Sequence, residues 1–127
     1  MGVSSFRTAA VLGAGTMGSQ IAAHLANAGV PVLLLDVTAD AARDGLKRAQ
    51  ALKPDPFFTA DVVRLITTGG FDSDLGKLKD VDWIVEAVIE QLDAKRALLA
   101  RVDAVRRAGT VVTSNTSGIR FIRSQKD

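Results

Sequence analysis

The sequence contains no cysteine, so neither a disulfide nor a thiolate metal site can be built from it. Long apolar runs are also missing. The stretch through Val11-Leu12 is soon broken by glycines, well short of the roughly 18 residues of a membrane helix. Met1-Gly2-Val3-Ser4-Ser5 has no charged segment leading into an apolar one, which argues against a signal peptide, and Gly2 with Ser5 only loosely matches an acylation signal. There is little net charge: +2, all of it in residues 120–127, where Arg120, Arg123 and Lys126 face Asp127. A balanced body with a short basic tail is a poor footprint for a phosphate backbone, which excludes nucleic acid as the expected partner. Histidine occurs once, as His24. The expectation is a soluble cytoplasmic protein without membrane or nucleic-acid contacts.

What is present is apolar and regularly spaced. Of the 127 residues 47% are hydrophobic, enough for a sheet buried on both faces. Thr8–Leu12 and Val32–Leu35 read as two buried strands. Between them, Thr16 to Ala28 is helix-compatible, with Met17, Ile21 and Leu25 predicted on one face and Gly29 as the stop. Thr38 is positioned to cap a second helix with Ala39, Ala42 and Leu46 on one face. Pro54-Asp55-Pro56 ends it, and residues 59–65 form one or two turns with Thr59 as cap. Leu65–Thr68 is a third short strand before Gly69-Gly70, and Val81–Val88 a fourth. A helix over 91–107 follows, with Leu92, Leu99 and Val102 inward and its charges outward; Gly109 stops it before a fifth strand, Thr110–Ser114. Strands alternating with helices predict an α/β fold: a Rossmann-type, doubly wound parallel sheet with helices on both faces.

The pattern Gly13-x-Gly15-x-x-Gly18 gains meaning from its place between an apolar strand and an amphipathic helix. Gly13 permits a tight turn, Gly15 removes the Cβ where a diphosphate would approach, and Gly18 lets the helix lie close to the strand. The helix start offers amides and partial positive charge to an anion, so the turn Gly13-Ala14-Gly15-Thr16-Met17-Gly18 is the expected pyrophosphate seat. Asp36 closes the second strand where a carboxylate can accept from an adenosine ribose and repel a 2′-phosphate, which favours NAD over NADP; capping of a loop is its plain alternative. Arg43 is expected to point into solvent.

With Gly13 to Asp36 followed by Glu86-Ala87-Val88-Ile89-Glu90, Lys95 and Ser114-Asn115-Thr116-Ser117, the chain resembles the NAD-binding domain of the 3-hydroxyacyl-CoA dehydrogenases over about residues 6–119. The resemblance implies that Met17 and Asp36 line the adenosine and phosphate side. It implies that Ala87, Val88, Ile89 and Glu90 run along the cofactor, with Lys95 nearby, and that Asn115 sits by the nicotinamide. Ser117 matches the serine that contacts the substrate 3-oxygen and assists catalysis. Glu90 and Lys95 as solvated surface charges, and Ser117 as a helix cap, are the plain alternatives.

The same resemblance brings out departures. The family uses a histidine base held by a glutamate just after the serine motif, and a helical C-terminal domain that closes over the acyl-CoA. Neither is found in this sequence, and His24 reads as a packing or surface residue of the first helix. Residues 1–119 are therefore expected to form the NAD-binding domain and 120–127 a short basic tail, in a chain that looks truncated and catalytically incomplete. Ending there leaves the fifth strand as an open edge, which predicts a homo-oligomer. The implied reaction interconverts 3-hydroxyacyl-CoA and 3-oxoacyl-CoA in fatty-acid β-oxidation. A non-catalytic NAD-binding or regulatory module, and a dehydrogenase of a smaller free 3-hydroxyacid, are the competing readings.

Overall fold

Two apolar strands side by side set the architecture. Ala9–Leu12 (β1) is buried along its whole length and lies parallel between Val32–Asp36 (β2) and Trp83–Glu86 (β4). The computed structural model describes residues 7–52, 57, 59–88, 92–114 and 121–123. Ile66–Gly70 (β3) adds beside β2 and Val111–Ser114 (β5) beside β4, both parallel. With Phe121–Arg123 (β6) the order is β3-β2-β1-β4-β5-β6, the chain passing from β3 at one edge back to β4 beside β1, so the switch point lies between β1 and β4. In such sheets the strand ends flanking the crossover open into a crevice.

Alternate residues feed two cores, as a parallel sheet covered on both sides requires. Ala9, Val11, Val32 and Leu34 face Thr16–Asn27 (α1) and Ala39–Gln50 (α2). Ala10, Leu12, Leu35 and Ile84 face Phe71–Asp74 (α3), the 3₁₀ turns of Leu75–Asp80, and Leu92–Val105 (α4). The expected doubly wound α/β sheet is thus present, and no helix among the described residues is long and apolar enough to cross a membrane.

The local stop and start signals act as their chemistry suggests. Gly29 takes φ +87°, and its amide bonds Ala26 while Val30 bonds Leu25, closing α1 with a Schellman turn. The Thr38 hydroxyl accepts the Ala41 amide at 3.0 Å and caps α2. Thr59 begins the 3₁₀ turn Ala60–Leu65 but makes no side-chain cap bond. Pro54, Asp55 and Pro56 lie outside the described residues.

Several expectations need correction. Met17 is exposed (42%) instead of sharing the buried stripe of α1 with Leu25; Gly18, Ala22, Leu25 and Ala26 form that face, because small side chains let α1 sit against the sheet. The third strand runs on through Gly69-Gly70 and passes straight into α3. The charges of the last helical region do not all point outward. Lys95 is buried on α4, and Arg106 is buried just past it, bonded to Asp103 at 2.7 Å and to the Thr110 carbonyl at 3.3 Å. Finally, β5 is not an edge. Phe121–Arg123 (β6), inside the expected tail, pairs with it antiparallel through Thr113↔Ile122, so the backbone groups expected to be open are bonded within the chain.

The β3–α3 corner is held by Asp74. Its carboxylate bonds Lys77, the Gly70 amide and the Ser73 hydroxyl, and these lower its pKa from 3.8 to about 2. A carboxyl depressed in the folded state stabilises the fold above its unfolded pKa and loses that contribution as pH falls through the folded one. Chemical denaturation from pH 6 downward should therefore show Asp74→Asn less stable than wild type above about pH 4, the gap closing toward about pH 2.

Candidate functional site

A cleft of about 570 Å³ opens at the C-terminal ends of β1, β2 and β4. Gly13 and Gly15 form one wall, Asp36 and Val37 a second, and Ala87, Val88 and Leu98 a third. Each wall exists because of a local backbone arrangement that the sequence enforces.

The glycine turn is fixed from several sides. Gly13 takes φ +105°, closed to most residues, and a Cβ there would press on the Ala87 carbonyl at 3.0 Å. Its amide bonds the Leu35 carbonyl at 2.7 Å, while the Ala87 amide bonds Leu12 at 2.8 Å. A Cβ on Gly18 would collide with the Gly13 carbonyl oxygen, so α1 can lie this close to the strand only with glycine there. Gly45 on α2 is under the same constraint against the Ala14 carbonyl. That carbonyl also accepts the Ser19 hydroxyl at 3.0 Å.

Gly15 differs from these three. A Cβ built on it meets nothing within 4 Å, and its exposed backbone starts α1 without a side-chain cap. The first turn carries no acidic residue. Its amides lie beyond the reach of helical carbonyls, and the positive end of the helix dipole faces the same open space. This is a cradle that any side chain would fill, and it suits a close-approaching anion such as a diphosphate.

Asp36 is one of two acidic residues that line the cleft, the other being Asp72. One carboxylate oxygen accepts the Ala14 amide at 2.8 Å and the other the Val37 amide at 2.6 Å. Asp36 thus ties the glycine turn to β2, a role not evident from sequence, and each oxygen keeps a lone pair for a hydroxyl donor. Arg43 pairs with Asp40 at 2.9 Å on the exposed face of α2, as expected.

At the other end, Glu86 is fully buried. Its carboxylate accepts the Val88 amide and, at 2.7 Å, the Ser114 hydroxyl, joining the ends of β4 and β5. Buried carboxylates need such donors, and removing them leaves a costly unpaired group.

The structure therefore brings Gly13, Gly15, Asp36, Ala87 and Val88 together around one cleft. Thr16 and Met17 are exposed at the start of α1 beside it, and Gly18 serves the helix–strand contact. Lys95 is buried on α4 and does not belong to the wall. Ile89, Glu90, Asn115 and Ser117 lie outside the described residues. Val37, Phe71, Asp72 and Arg101 line the cleft without having been foreseen. His24 is exposed in the last turn of α1 and is not a lining residue. Among the described residues no group of three His, Asp or Glu could hold a metal ion.

Fold and cleft together define an α/β dinucleotide-binding domain. Comparison with known proteins narrows this: a family model described as "3-hydroxyacyl-CoA dehydrogenase, NAD binding domain" matches residues 8–126, and the chain belongs to that family. It is 48% identical over 120 residues to a "Probable 3-hydroxyacyl-CoA dehydrogenase" of Deinococcus radiodurans, covering 89% of this chain and 35% of that protein. A "Fatty acid oxidation complex subunit alpha" of Pseudomonas syringae is 36% identical over 118 residues, 89% of this chain and 16% of that protein. Among solved structures, 3-hydroxybutyryl-CoA dehydrogenase of Escherichia coli superposes with a TM-score of 0.73 at 32% identity, over 90% of this chain and 25% of that one. The chain thus spans about a third or less of each relative's length.

The two helix-start glycines should respond oppositely to a methyl group. Gly18→Ala should cost about 1–3 kcal/mol through overpacking. Gly15→Ala should stay within about 1 kcal/mol of wild type, since nothing in the fold meets its Cβ. Urea denaturation of both variants checks this.

Proposed function

We propose that this chain is the cofactor-holding part of a NAD-dependent dehydrogenase that interconverts 3-hydroxyacyl-CoA and 3-oxoacyl-CoA in fatty-acid β-oxidation. The observation that carries the reading is the open cradle at Gly15, set between an uncapped helix start and the Asp36 carboxylate. In this reading Gly13 shapes the turn, its amide and that of Ala14 being held by Leu35 and Asp36, and the backbone from Gly15 to Gly18, with Thr16 and Met17 at its outer side, receives the diphosphate. Asp36 accepts from the adenosine ribose and disfavours a 2′-phosphate. Ala87 and Val88 form an apolar floor that excludes water, and by the family resemblance Ile89 and Glu90 contribute to the same cofactor site, with Lys95 on α4 nearby. Asn115 serves the nicotinamide end, and Ser117 donates to the 3-oxygen of the acyl-CoA. NAD, when bound, supplies the hydride acceptor.

Taking a proton from the 3-hydroxyl needs a base titrating near neutral pH. His24 is the single imidazole of the sequence and sits in the last turn of α1, outside the cleft wall. The chain alone is therefore proposed to bind cofactor and to turn over little. A cytoplasmic setting and self-association belong to the same reading, β6, the edge of the sheet among the described residues, offering backbone groups to a second sheet edge.

Calorimetry should give NAD or NADH binding to the wild-type chain, at least about tenfold weaker in Gly15→Ala despite its preserved fold, because the new Cβ occupies the diphosphate cradle. Acetoacetyl-CoA with NADH should be reduced slowly or not at all. A folded chain that gives no heat with either dinucleotide would overturn the cofactor reading, and rapid turnover would overturn the proposal that the chain alone turns over little.

A further inference from the structure

We propose that Asp72 is a second determinant of the choice between NAD and NADP, acting by occupying a guanidinium at the adenosine end of the cleft. The proposal rests on the reading that this cleft holds NAD. Selectivity against a 2′-phosphate is assigned above to Asp36, whose carboxylate would repel it. A 2′-phosphate also needs a cation, usually a guanidinium, to be retained. The two arginines of α2 are engaged in other contacts. Arg43 pairs with Asp40 on the outer side of α2, and Arg48 reaches toward the Ala14 carbonyl at 3.5 Å.

Arg101 is differently placed. It lines the cleft together with Asp36 and Asp72. Register puts the corner that Arg101 touches beside the Asp36 strand end. Asp36 pairs with Gly70 across β2 and β3, and the next two residues, Phe71 and Asp72, open α3. From α4, on the opposite bank, Arg101 reaches this corner with one guanidinium nitrogen 3.0 Å from the Asp72 carboxylate and 3.5 Å from the Phe71 carbonyl. The adenosine end of the cleft therefore holds two carboxylates and one guanidinium, and the guanidinium is already paired. Together the two acids leave a net negative charge where a 2′-phosphate would add two more.

The Arg101–Asp72 pair is exposed, at 47% and 92% of the respective side chains, so its grip is modest and screened by salt. Its effect on a dianion is correspondingly moderate. Removing the Asp72 charge leaves Arg101 free to turn toward the ribose 2′ position while Asp36 still opposes the phosphate. Discrimination should fall without vanishing.

The test is fluorescence titration of NADH and NADPH against wild type, Asp72→Asn, Arg101→Met and the double variant at low salt. Asp72 is exposed and outside both cores, so its substitution leaves the fold intact. In Asp72→Asn the NADH preference over NADPH should shrink on the order of 3- to 10-fold, the size expected for one exposed charge acting on a dianion. The double variant should return to the wild-type preference, and added salt should erase the gain. An unchanged preference in Asp72→Asn, with NADH still bound, overturns the proposal, as does a gain that persists without Arg101. Wild-type protein that binds neither dinucleotide overturns the cofactor reading itself, and this inference with it.

Discussion

The Gly13 carbonyl and the Cα of Gly18 are in such close contact that no side chain fits between them, and the cofactor end of this domain is assembled around that contact. It brings the start of α1 to the end of β1 and aims the helix at the cleft instead of across it. Ala14, the next residue in the turn, takes up what remains. Its amide is held by Asp36, its carbonyl by Ser19, and α2 rests on it through Gly45. The turn is thus bonded to β2 and wedged between two helices, and of its three glycines Gly15 alone faces open space. A backbone fixed on every side but one is pre-organised for a ligand on that side, which reduces the ordering cost of binding.

Electrostatics divides the cleft in a similar way. The helix start carries partial positive charge and no acidic side chain, while the carboxylates Asp36 and Asp72 gather toward the β2–β3 side. A dinucleotide has its diphosphate in the middle and an uncharged ribose at the adenosine end, which matches this distribution. At the far side the buried Glu86, bonded to Val88 and Ser114, ties together the C-terminal ends of β4 and β5. A carboxylate with both oxygens committed to donors acts there as a cross-link between β4 and β5.

What the sequence made legible was what depends on neighbours in the chain. Apolar runs gave the strands. Gly29 and Thr38 act on residues within one turn of themselves, and both bonded as their chemistry suggests. What stayed hidden depends on residues distant in sequence. Gly45 looks like an ordinary weak helix residue until Ala14 is seen against it. Asp36 was read as a ribose acceptor, but its bond to the Ala14 amide spans 22 positions. Arg101 and Asp72 meet only because α4 and α3 lie on the same face of the sheet. One signal was available and passed over: Phe71, Leu75 and Leu78 follow helical spacing, and all three are buried. Register also escaped sequence reasoning in β6, whose residues looked like a solvated basic tail but add to the sheet edge.

The central claim is that the rigid turn presents its open side, from Gly15 into the start of α1, to a diphosphate while Asp36 accepts from the ribose. The most direct measurement is an amide chemical-shift titration of the isotopically labelled chain with ADP-ribose, which carries those two groups and no nicotinamide. The account predicts saturable shifts concentrated at Gly13 through Gly18 and at Asp36 and Val37, with the outer face of α2 unmoved. Shifts scattered over the surface, or confined to residues away from the glycine turn, would contradict it.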